Sequence, residues 1–114
     1  MMLVVGGASA GKLAYVKSLG YTEDDIADAV LDSRPVLYNL QALVAEDPET
    51  AGMLLEPLLQ KSVVICDEVG SGVIPVVPAE RQMREQTGRL CNRLAERAEC
   101  VVRLVAGIPM VLKG

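Results

Sequence analysis

A glycine-rich run near the amino terminus holds the residues most able to do chemistry. It reads GGASAGKL, and its members are Gly6, Gly7, Ala8, Ser9, Ala10, Gly11, Lys12 and Leu13. Glycines at this spacing let successive backbone amides face a phosphate, while the lysine brings a positive charge to it. The next position should carry a hydroxyl that ligates magnesium, and Leu13 has none. The run therefore predicts a nucleotide-phosphate loop with one defect; the alternative is a structural turn with an incidental lysine.

Two adjacent carboxylates form a second candidate site. The apolar run from 63 to 66 predicts a buried strand, and Asp67 and Glu68 follow it. A carboxylate at such a strand end is suited to organising magnesium or acting as a general base. Successive side chains of a strand point in opposite directions, so at most one of the two enters a cleft on a given face. The alternative, which the spacing alone favours, is a polar strand terminus entering a loop.

The composition excludes several functional classes. The 114 residues carry a formal net charge of -4 and only 3% aromatic residues, which argues against a nucleic-acid partner. The chain has no histidine, and its three cysteines, Cys66, Cys91 and Cys100, include no close pair. Neither a zinc site nor a disulfide framework is therefore expected. No apolar run reaches membrane-spanning length and no signal segment is visible, so we expect a soluble cytoplasmic protein with no membrane partner.

The two candidate sites must be positioned by strands and helices. Continuous apolar runs predict buried strands at 2–5, 36–38, 63–66 and 101–105. Helices are predicted from Gly11 to about Leu19, through most of 40–60 and from Ala79 to Ala98. Thr22, followed by carboxylates, predicts a further short helix, whose inner stripe would be Ile26, Ala29 and Val30.

Alternation of these elements defines a fold class. Gly70-Ser-Gly72, Pro75 and Pro78 predict a loop between the strand at 63–66 and the last helix. Strands that alternate with helices predict a single α/β domain over residues 1–114, with a mostly parallel sheet and flanking helices. Ligands of such sheets bind at the carboxyl ends of the strands, where both candidate sites fall.

The carboxyl-terminal half resembles a known enzyme family. The stretches that carry the resemblance are Glu68-Val-Gly70, Gly72-Val-Ile-Pro75, Gly88-Arg-Leu-x-Asn92-Arg-Leu94 and Val105-Ala-Gly107-Ile-Pro109. They are similar to the bifunctional adenosylcobinamide kinase / adenosylcobinamide-phosphate guanylyltransferase family of cobalamin biosynthesis. The amino-terminal LVVGGASAGK also resembles the phosphate loop of that family.

The resemblance implies a P-loop NTPase-like fold, often assembled as a homo-trimer. It implies ATP or GTP with Mg²⁺ as cofactor, and a nucleotide and a corrinoid as partners. Such enzymes phosphorylate the cobinamide hydroxyl and then attach GMP to the product. Carried over by position, Gly6, Gly11 and Lys12 hold phosphates, Lys12 and Glu68 are catalytic, and Glu68, with Asp67 second, holds the metal.

The chain departs from that family at several points. Leu13 replaces the hydroxyl, no histidine exists to carry GMP, and the middle of the chain is shortened. If the strand at 36–38 aligns with the family, Asn39 replaces a further acidic residue. We therefore expect a degenerate member with residual nucleotide binding at the Gly6–Lys12 loop and no guanylyl transfer. Two alternatives stay open: a working kinase with one metal-anchoring carboxylate, and a non-catalytic interaction or regulatory subunit that exposes an apolar patch.

Overall fold

The computed structural model describes residues 1–68 and 77–114, and a six-stranded sheet with helices on both faces organises them. The strands are β1 (Met2–Gly6), β2 (Ile26–Asp28), β3 (Val36–Tyr38), β4 (Val63–Asp67), β5 (Cys100–Val105) and β6 (Ile108–Lys113). The α-helices are α1 (Lys12–Ser18), α2 (Leu40–Glu46), α3 (Leu55–Leu59) and α4 (Pro78–Arg97). Short 3₁₀ helices span Glu23–Asp25 and Pro48–Leu54. The fold class is the expected α/β class.

The sheet has the strand order β2-β3-β4-β1-β5-β6, and β1 therefore lies near its centre. Every neighbouring pair is parallel except β5 and β6, which form an antiparallel hairpin at one edge. In register, Gly6 lies beside Asp67 on one side and beside Leu104 on the other. The glycine loop and the end of β4 therefore open at the same edge of the sheet, which is where parallel sheets bind ligands.

Alternating side chains of the strands supply two aliphatic cores. Leu3, Val64, Cys66 and Val101 face α2, α3 and α4. On the opposite face, the residues that pack with Val16 of α1 are Val4, Ile26, Val36, Val63, Ile65, Val102 and Leu104. Because the central strands bury both faces, their sequences are continuous apolar runs rather than alternating ones.

The predicted strands and the last helix are confirmed, with small shifts at their ends. The helix α4 turns Thr87, Leu90 and Leu94 inward, as the three- and four-residue spacing indicates. Pro78, expected in the preceding loop, is instead the first residue of α4, a position that tolerates its missing N–H. Gly70-Ser-Gly72 and Pro75, also expected in that loop, lie outside the described residues.

The prediction of a short helix after Thr22 is wrong beyond the first turn. Thr22 and Asp25 do form a capping box, with the Thr22 N–H donating to Asp25 Oδ2 at 2.8 Å. That turn ends at Asp25, and β2 begins at Ile26. Ile26 and Ala27 are consecutive and both buried. Parallel pairing of β2 with β3 buries both faces of the chain there, which one turn of helix cannot do.

Candidate phosphate-binding site

The loop from Gly6 to Gly11 joins the central strand β1 to α1. Gly11 adopts a left-handed conformation (φ 95°) at the entry to α1, and its carbonyl accepts from the Tyr15 N–H at 3.0 Å. Inside the loop the Ala10 N–H donates to the Gly7 carbonyl at 3.1 Å. Ser9 is also left-handed (φ 60°), at a cost that a non-glycine residue bears only when the surrounding structure imposes it. The predicted strand–loop–helix unit is thus present.

Two of the loop glycines are fixed by close approach of the neighbouring backbone. A Cβ on Gly6 would lie 2.7 Å from the Leu104 carbonyl oxygen of β5. One on Gly11 would lie 3.3 Å from the Cα of Gly107, in the hairpin between β5 and β6. The Gly107 N–H also donates to the Ala10 carbonyl at 2.9 Å. The loop is therefore held against the β5–β6 hairpin, and its glycines serve packing as well as curvature.

The ammonium group of Lys12 lies inside the loop. Its side chain is 4% exposed, and Nζ donates to the Gly7 carbonyl at 2.6 Å. The same Nζ lies 2.7 Å from Asp67 Oδ1. A buried ammonium is costly unless it is paired and hydrogen-bonded, and both conditions are met here. The lysine ammonium is therefore turned into the loop, and it ties the loop to the end of β4.

The two carboxylates of the acidic pair point to opposite faces of the sheet. Asp67 faces α1 and meets Lys12. Glu68 meets Arg103 of β5 in a two-pronged contact, with Nε to Oε1 at 2.6 Å and Nη2 to Oε2 at 3.1 Å. This pairing raises the pKa of Arg103, chiefly through its hydrogen bond to Glu68. The alternation expected from the sequence is confirmed; the metal-holding and catalytic roles of Glu68 stay predictions.

A cleft of about 410 Å³ opens beside Lys12. Its lining residues are Ala8, Ser9, Gly11, Lys12, Leu13, Ala14, Tyr38 and Asp67. Most members of the predicted loop therefore share one cavity with one of the two candidate carboxylates. Tyr38, the last residue of β3, adds an aromatic wall that the sequence did not single out. A cleft of this volume lies within the range of small-molecule binding sites.

Side chains at the strand ends form a hydrogen-bonded chain that leads to Asp67. The Asp67 N–H donates to Gln41 Oε1 at 3.0 Å, and Gln41 Nε2 donates to Asn39 Oδ1 at 3.1 Å. Asn39 Nδ2 then donates to Asp28 Oδ1 at 2.7 Å. Asn39 is thus a link between β2 and β4, and whether it replaces an acidic residue of the family stays a prediction. Gln41 and Asp28 were missed because their partners are distant in sequence.

Magnesium has a limited set of protein ligands here. Within residues 1–68 and 77–114, no group of three or more Cys, Asp and Glu side chains is placed to hold a metal ion. Asp67 is the carboxylate that borders the cleft, and Leu13 offers no oxygen. Magnesium commonly takes one or two carboxylates, with water and phosphate oxygens as its other ligands. One-carboxylate binding on a nucleotide therefore fits these residues, and a cage of protein ligands does not.

The cysteines lie apart from this chemistry. Cys66 is buried, and its pKa is raised by a hydrogen bond with the Cys91 thiol and by burial. The pKa of Cys91 is lowered by the same contact. Both thiols are free. Among residues 1–68 and 77–114, none of the helices combines the length and the hydropathy of a membrane-spanning segment.

The fold and the loop define the class of protein: an α/β sheet protein with a P-loop NTPase-like arrangement of strand, glycine loop and helix. Comparison with known proteins narrows that class. The chain belongs to the cobinamide kinase / cobinamide phosphate guanyltransferase family, whose model matches residues 41–112. A relative is the bifunctional adenosylcobalamin biosynthesis protein CobP of Pseudomonas aeruginosa, 33% identical over 85 residues. That match covers 68% of this chain and 49% of the relative, so the chain spans about half the relative's length.

Proposed function

We propose that this chain is a degenerate cobinamide kinase/guanylyltransferase-like protein of cobalamin biosynthesis that binds a nucleotide weakly at the Gly6–Leu13 loop. The observation that carries the proposal is the buried Lys12 ammonium between the Gly7 carbonyl and Asp67, at the carboxyl edge of a parallel sheet. A lysine in this position meets nucleotide phosphates when they enter the loop. The cytoplasmic location and the homo-trimer expected from the sequence stay predictions.

Weak binding follows from what the phosphates must displace. Lys12 already has a carbonyl and a carboxylate partner, so part of the energy of a new Lys12–phosphate contact goes into breaking the old ones. The Asp67 carboxylate also repels phosphate unless a cation lies between them. Magnesium supplies that cation when it is bound with ATP or GTP, and Asp67 is the residue that would hold it. Leu13 offers no second ligand.

Transfer chemistry is limited by the residues present. The family's guanylyl transfer proceeds through a histidine that carries GMP, and this chain has no histidine. We therefore propose that it does not transfer guanylyl groups by that route. For phosphoryl transfer, Lys12 and Asp67 are two of the charged groups that usually act on the phosphates and the metal. Removal of one such group typically lowers the rate by about 10²–10³-fold. Residual kinase activity, if measured, should be slow.

A titration tests nucleotide binding directly. ATP and GTP are titrated into the native chain by calorimetry, with and without Mg²⁺, and into Lys12→Ala. Lys17→Ala is the matched control, because Lys17 lies in the same short helix and pairs with Glu23 at the surface. We expect saturable binding that weakens at least tenfold in Lys12→Ala and stays unchanged in Lys17→Ala. Equal affinity in all three proteins, each shown to be folded by circular dichroism, would overturn the proposal.

A second candidate function rests on the edge strand β6. All six of its residues are exposed, and Ile108, Met110, Val111 and Leu112 are apolar with 46–65% of their surface accessible. An exposed apolar edge of this kind is typical of an interaction surface. A non-catalytic subunit or regulator that docks through β6 is therefore the alternative. It is favoured if the titration shows no nucleotide binding while sedimentation shows self-association that Val111→Lys abolishes.

A further inference from the structure

A separate cleft of about 440 Å³ lies on the α4 side of the sheet, whereas the Lys12 site lies on the α1 side. It opens between α4 and the 3₁₀ helix Pro48–Leu54, which pack against each other. We call it the arginine cleft; its lining residues are Gly52, Gln86, Arg89, Leu90, Asn92 and Arg93. The two clefts share no lining residue. A ligand of the arginine cleft would therefore bind apart from the phosphate loop.

The arginine cleft holds two guanidinium groups without a carboxylate partner. Arg97, one turn beyond Arg93 in α4, pairs with Glu56 at 2.7 Å. In the part of the chain that the structure describes, neither Arg89 nor Arg93 forms such an ion pair or a side-chain hydrogen bond. Glu85 lies one turn before Arg89 in α4, but no ion pair joins the two. Both arginines are exposed, so their donors are free and within reach of a ligand.

The spacing of the two arginines suits them to share one anion. They lie four residues apart in α4, and side chains at that spacing are neighbours on a helix, with about 5–6 Å between their Cβ atoms. Like charges at this spacing destabilise a helix, and an anion between them removes the repulsion. Arg93 also reaches the far wall of the cleft, because a Cβ on Gly52 would lie 3.9 Å from Arg93 Nη1. The positive charge is therefore held within the cleft.

The lining of the arginine cleft selects the chemistry of its ligand. A guanidinium group presents its N–H donors as a planar fork that matches two oxygens of a phosphate or a carboxylate. The side-chain amides of Gln86 and Asn92 can both donate and accept hydrogen bonds. The volume lies within the range of small-molecule sites. A net charge of -4 and 3% aromatic residues argue against a nucleic acid as the occupant.

We infer that the arginine cleft binds a small anionic molecule through a phosphate or carboxylate group held between Arg89 and Arg93. The guanidinium N–H groups donate to the oxygens of that group. Gln86 and Asn92 hydrogen-bond to hydroxyl or amide groups in the rest of the molecule. The bound anion also stabilises α4, because it removes the repulsion between the two arginines. This site does not depend on the proposed nucleotide site, and either can exist without the other.

The test follows the arginine side chains directly. Inorganic phosphate and citrate are titrated separately into the ¹⁵N-labelled native chain, and the Nε–Hε signals of the arginines are recorded by NMR. Sodium chloride at the same ionic strength controls for screening. The titrations are repeated with Arg89→Gln and Arg93→Gln. Arg81→Gln is the matched control, since Arg81 is an exposed arginine of α4 that does not line the cleft. Lys12→Ala separates the cleft from the phosphate loop, and circular dichroism checks that every variant is folded.

We expect saturable shifts of the Arg89 and Arg93 signals with at least one of the two anions. Affinity should fall about tenfold or more in Arg89→Gln and in Arg93→Gln, because each loses charge-assisted hydrogen bonds. It should stay unchanged in Arg81→Gln and in Lys12→Ala. Saturation by phosphate alone assigns a phosphoryl ligand, and saturation by citrate alone assigns a carboxylate.

Three results would overturn the inference. The first is no saturation by either anion, or the same shifts with sodium chloride, which would reduce the effect to screening. The second is equal weakening in Arg81→Gln, which would show that only the total charge of the helix matters. The third is loss of the response in Lys12→Ala, which would assign the anion to the phosphate loop. Failure of ATP and GTP to bind would overturn the nucleotide site and leave this one standing.

Discussion

Lys12 and Asp67 form a partly buried ion pair of 2.7 Å between the first residue of α1 and the last residue of β4. Lys12 is almost fully buried and Asp67 retains 29% of its side-chain surface. The pair joins the two features that the sequence singled out, although 55 positions separate them along the chain. It also gives each charge a partner before any ligand enters. Without a ligand, the charged groups of the site are therefore paired with each other, and a nucleotide must compete with Asp67 for Lys12.

Asp67→Asn should change the magnesium dependence of nucleotide binding. Without Mg²⁺ the affinity for ATP should rise several-fold, because the repelling carboxylate is gone and Lys12 is freed. With Mg²⁺ the gain should disappear, because the cation has lost its protein ligand. Calorimetric titration with and without Mg²⁺ measures both effects.

The matched control is Glu68→Gln, which removes the neighbouring carboxylate on the other face. Glu68 pairs with Arg103, so we expect its removal to leave the magnesium dependence unchanged. If Glu68→Gln abolishes the magnesium dependence and Asp67→Asn does not, the metal is held by Glu68, as the family resemblance implies.

Leu13→Ser should restore a magnesium ligand. Leu13 lines the cleft beside Lys12, so a serine there places its hydroxyl where a phosphate-bound cation would lie. We expect ATP affinity to rise about tenfold with Mg²⁺ and not at all without it. Leu13→Ala controls for the loss of the apolar side chain, which packs against the core of α1. If serine and alanine behave alike, the loop does not hold phosphate in the position that a magnesium ligand requires.

Much of the fold was predictable because its strands bury both faces. Continuous apolar runs marked β1, β3, β4 and β5, and a three- and four-residue spacing marked α4. β2 was missed because its residues follow a genuine capping box, which indicates the start of a helix. The preference of Thr22 for the N-cap position correctly indicated one helical turn. Parallel pairing with β3 then decided the conformation of the residues that follow, and no local pattern carries that information.

The candidate site was predictable only in its local parts. The glycine loop is a contiguous motif, and the opposite directions of Asp67 and Glu68 follow from strand geometry. The partners of these residues were not predictable, because Gln41 lies 26 positions from Asp67 and Arg103 lies 35 positions from Glu68. Such contacts depend on the order of strands in the sheet. Composition and spacing do not determine that order.

The pH dependence of stability should show a contribution from Asp32. Hydrogen bonds from the Arg34 side chain and backbone lower the pKa of Asp32 from 3.8 to about 2. A carboxyl group whose pKa is lower in the folded than in the unfolded chain stabilises the folded state at pH values above its unfolded-state pKa. That stabilisation is lost as the pH falls from about 4 to 2. The effect is modest because the pair is exposed. Between pH 4 and pH 2, the melting temperature should fall further for the native chain than for Asp32→Asn. Identical falls in the two proteins would contradict this assignment.

The cysteines should differ in reactivity toward iodoacetamide. Cys66 is 1% exposed and its pKa is raised by the Cys91 thiol, so little thiolate is present or reachable. Cys91 has a lowered pKa and borders a second cleft of about 400 Å³. Mass spectrometry of the natively alkylated chain should therefore show Cys91 modified before Cys66. In Cys91→Ser, Cys66 should stay protected because burial remains. Rapid alkylation of Cys66 in the native chain would show that β4 opens to solvent.

Gly6→Ala should lower the free energy of unfolding much more than Gly7→Ala, because only Gly6 is packed against a neighbouring strand. A Cβ on Gly6 would lie 2.7 Å from the Leu104 carbonyl oxygen. Both sides of this contact are backbone in paired strands, so neither can move away easily. Overpacking of this kind costs about 1–3 kcal/mol of unfolding free energy. A Cβ on Gly7 meets nothing within 4 Å, so the same substitution there should change stability by less than about 0.5 kcal/mol. Urea unfolding of both variants measures the difference. Equal midpoints would mean that β1 and β5 do not approach at Gly6 and that the loop is not held against the hairpin.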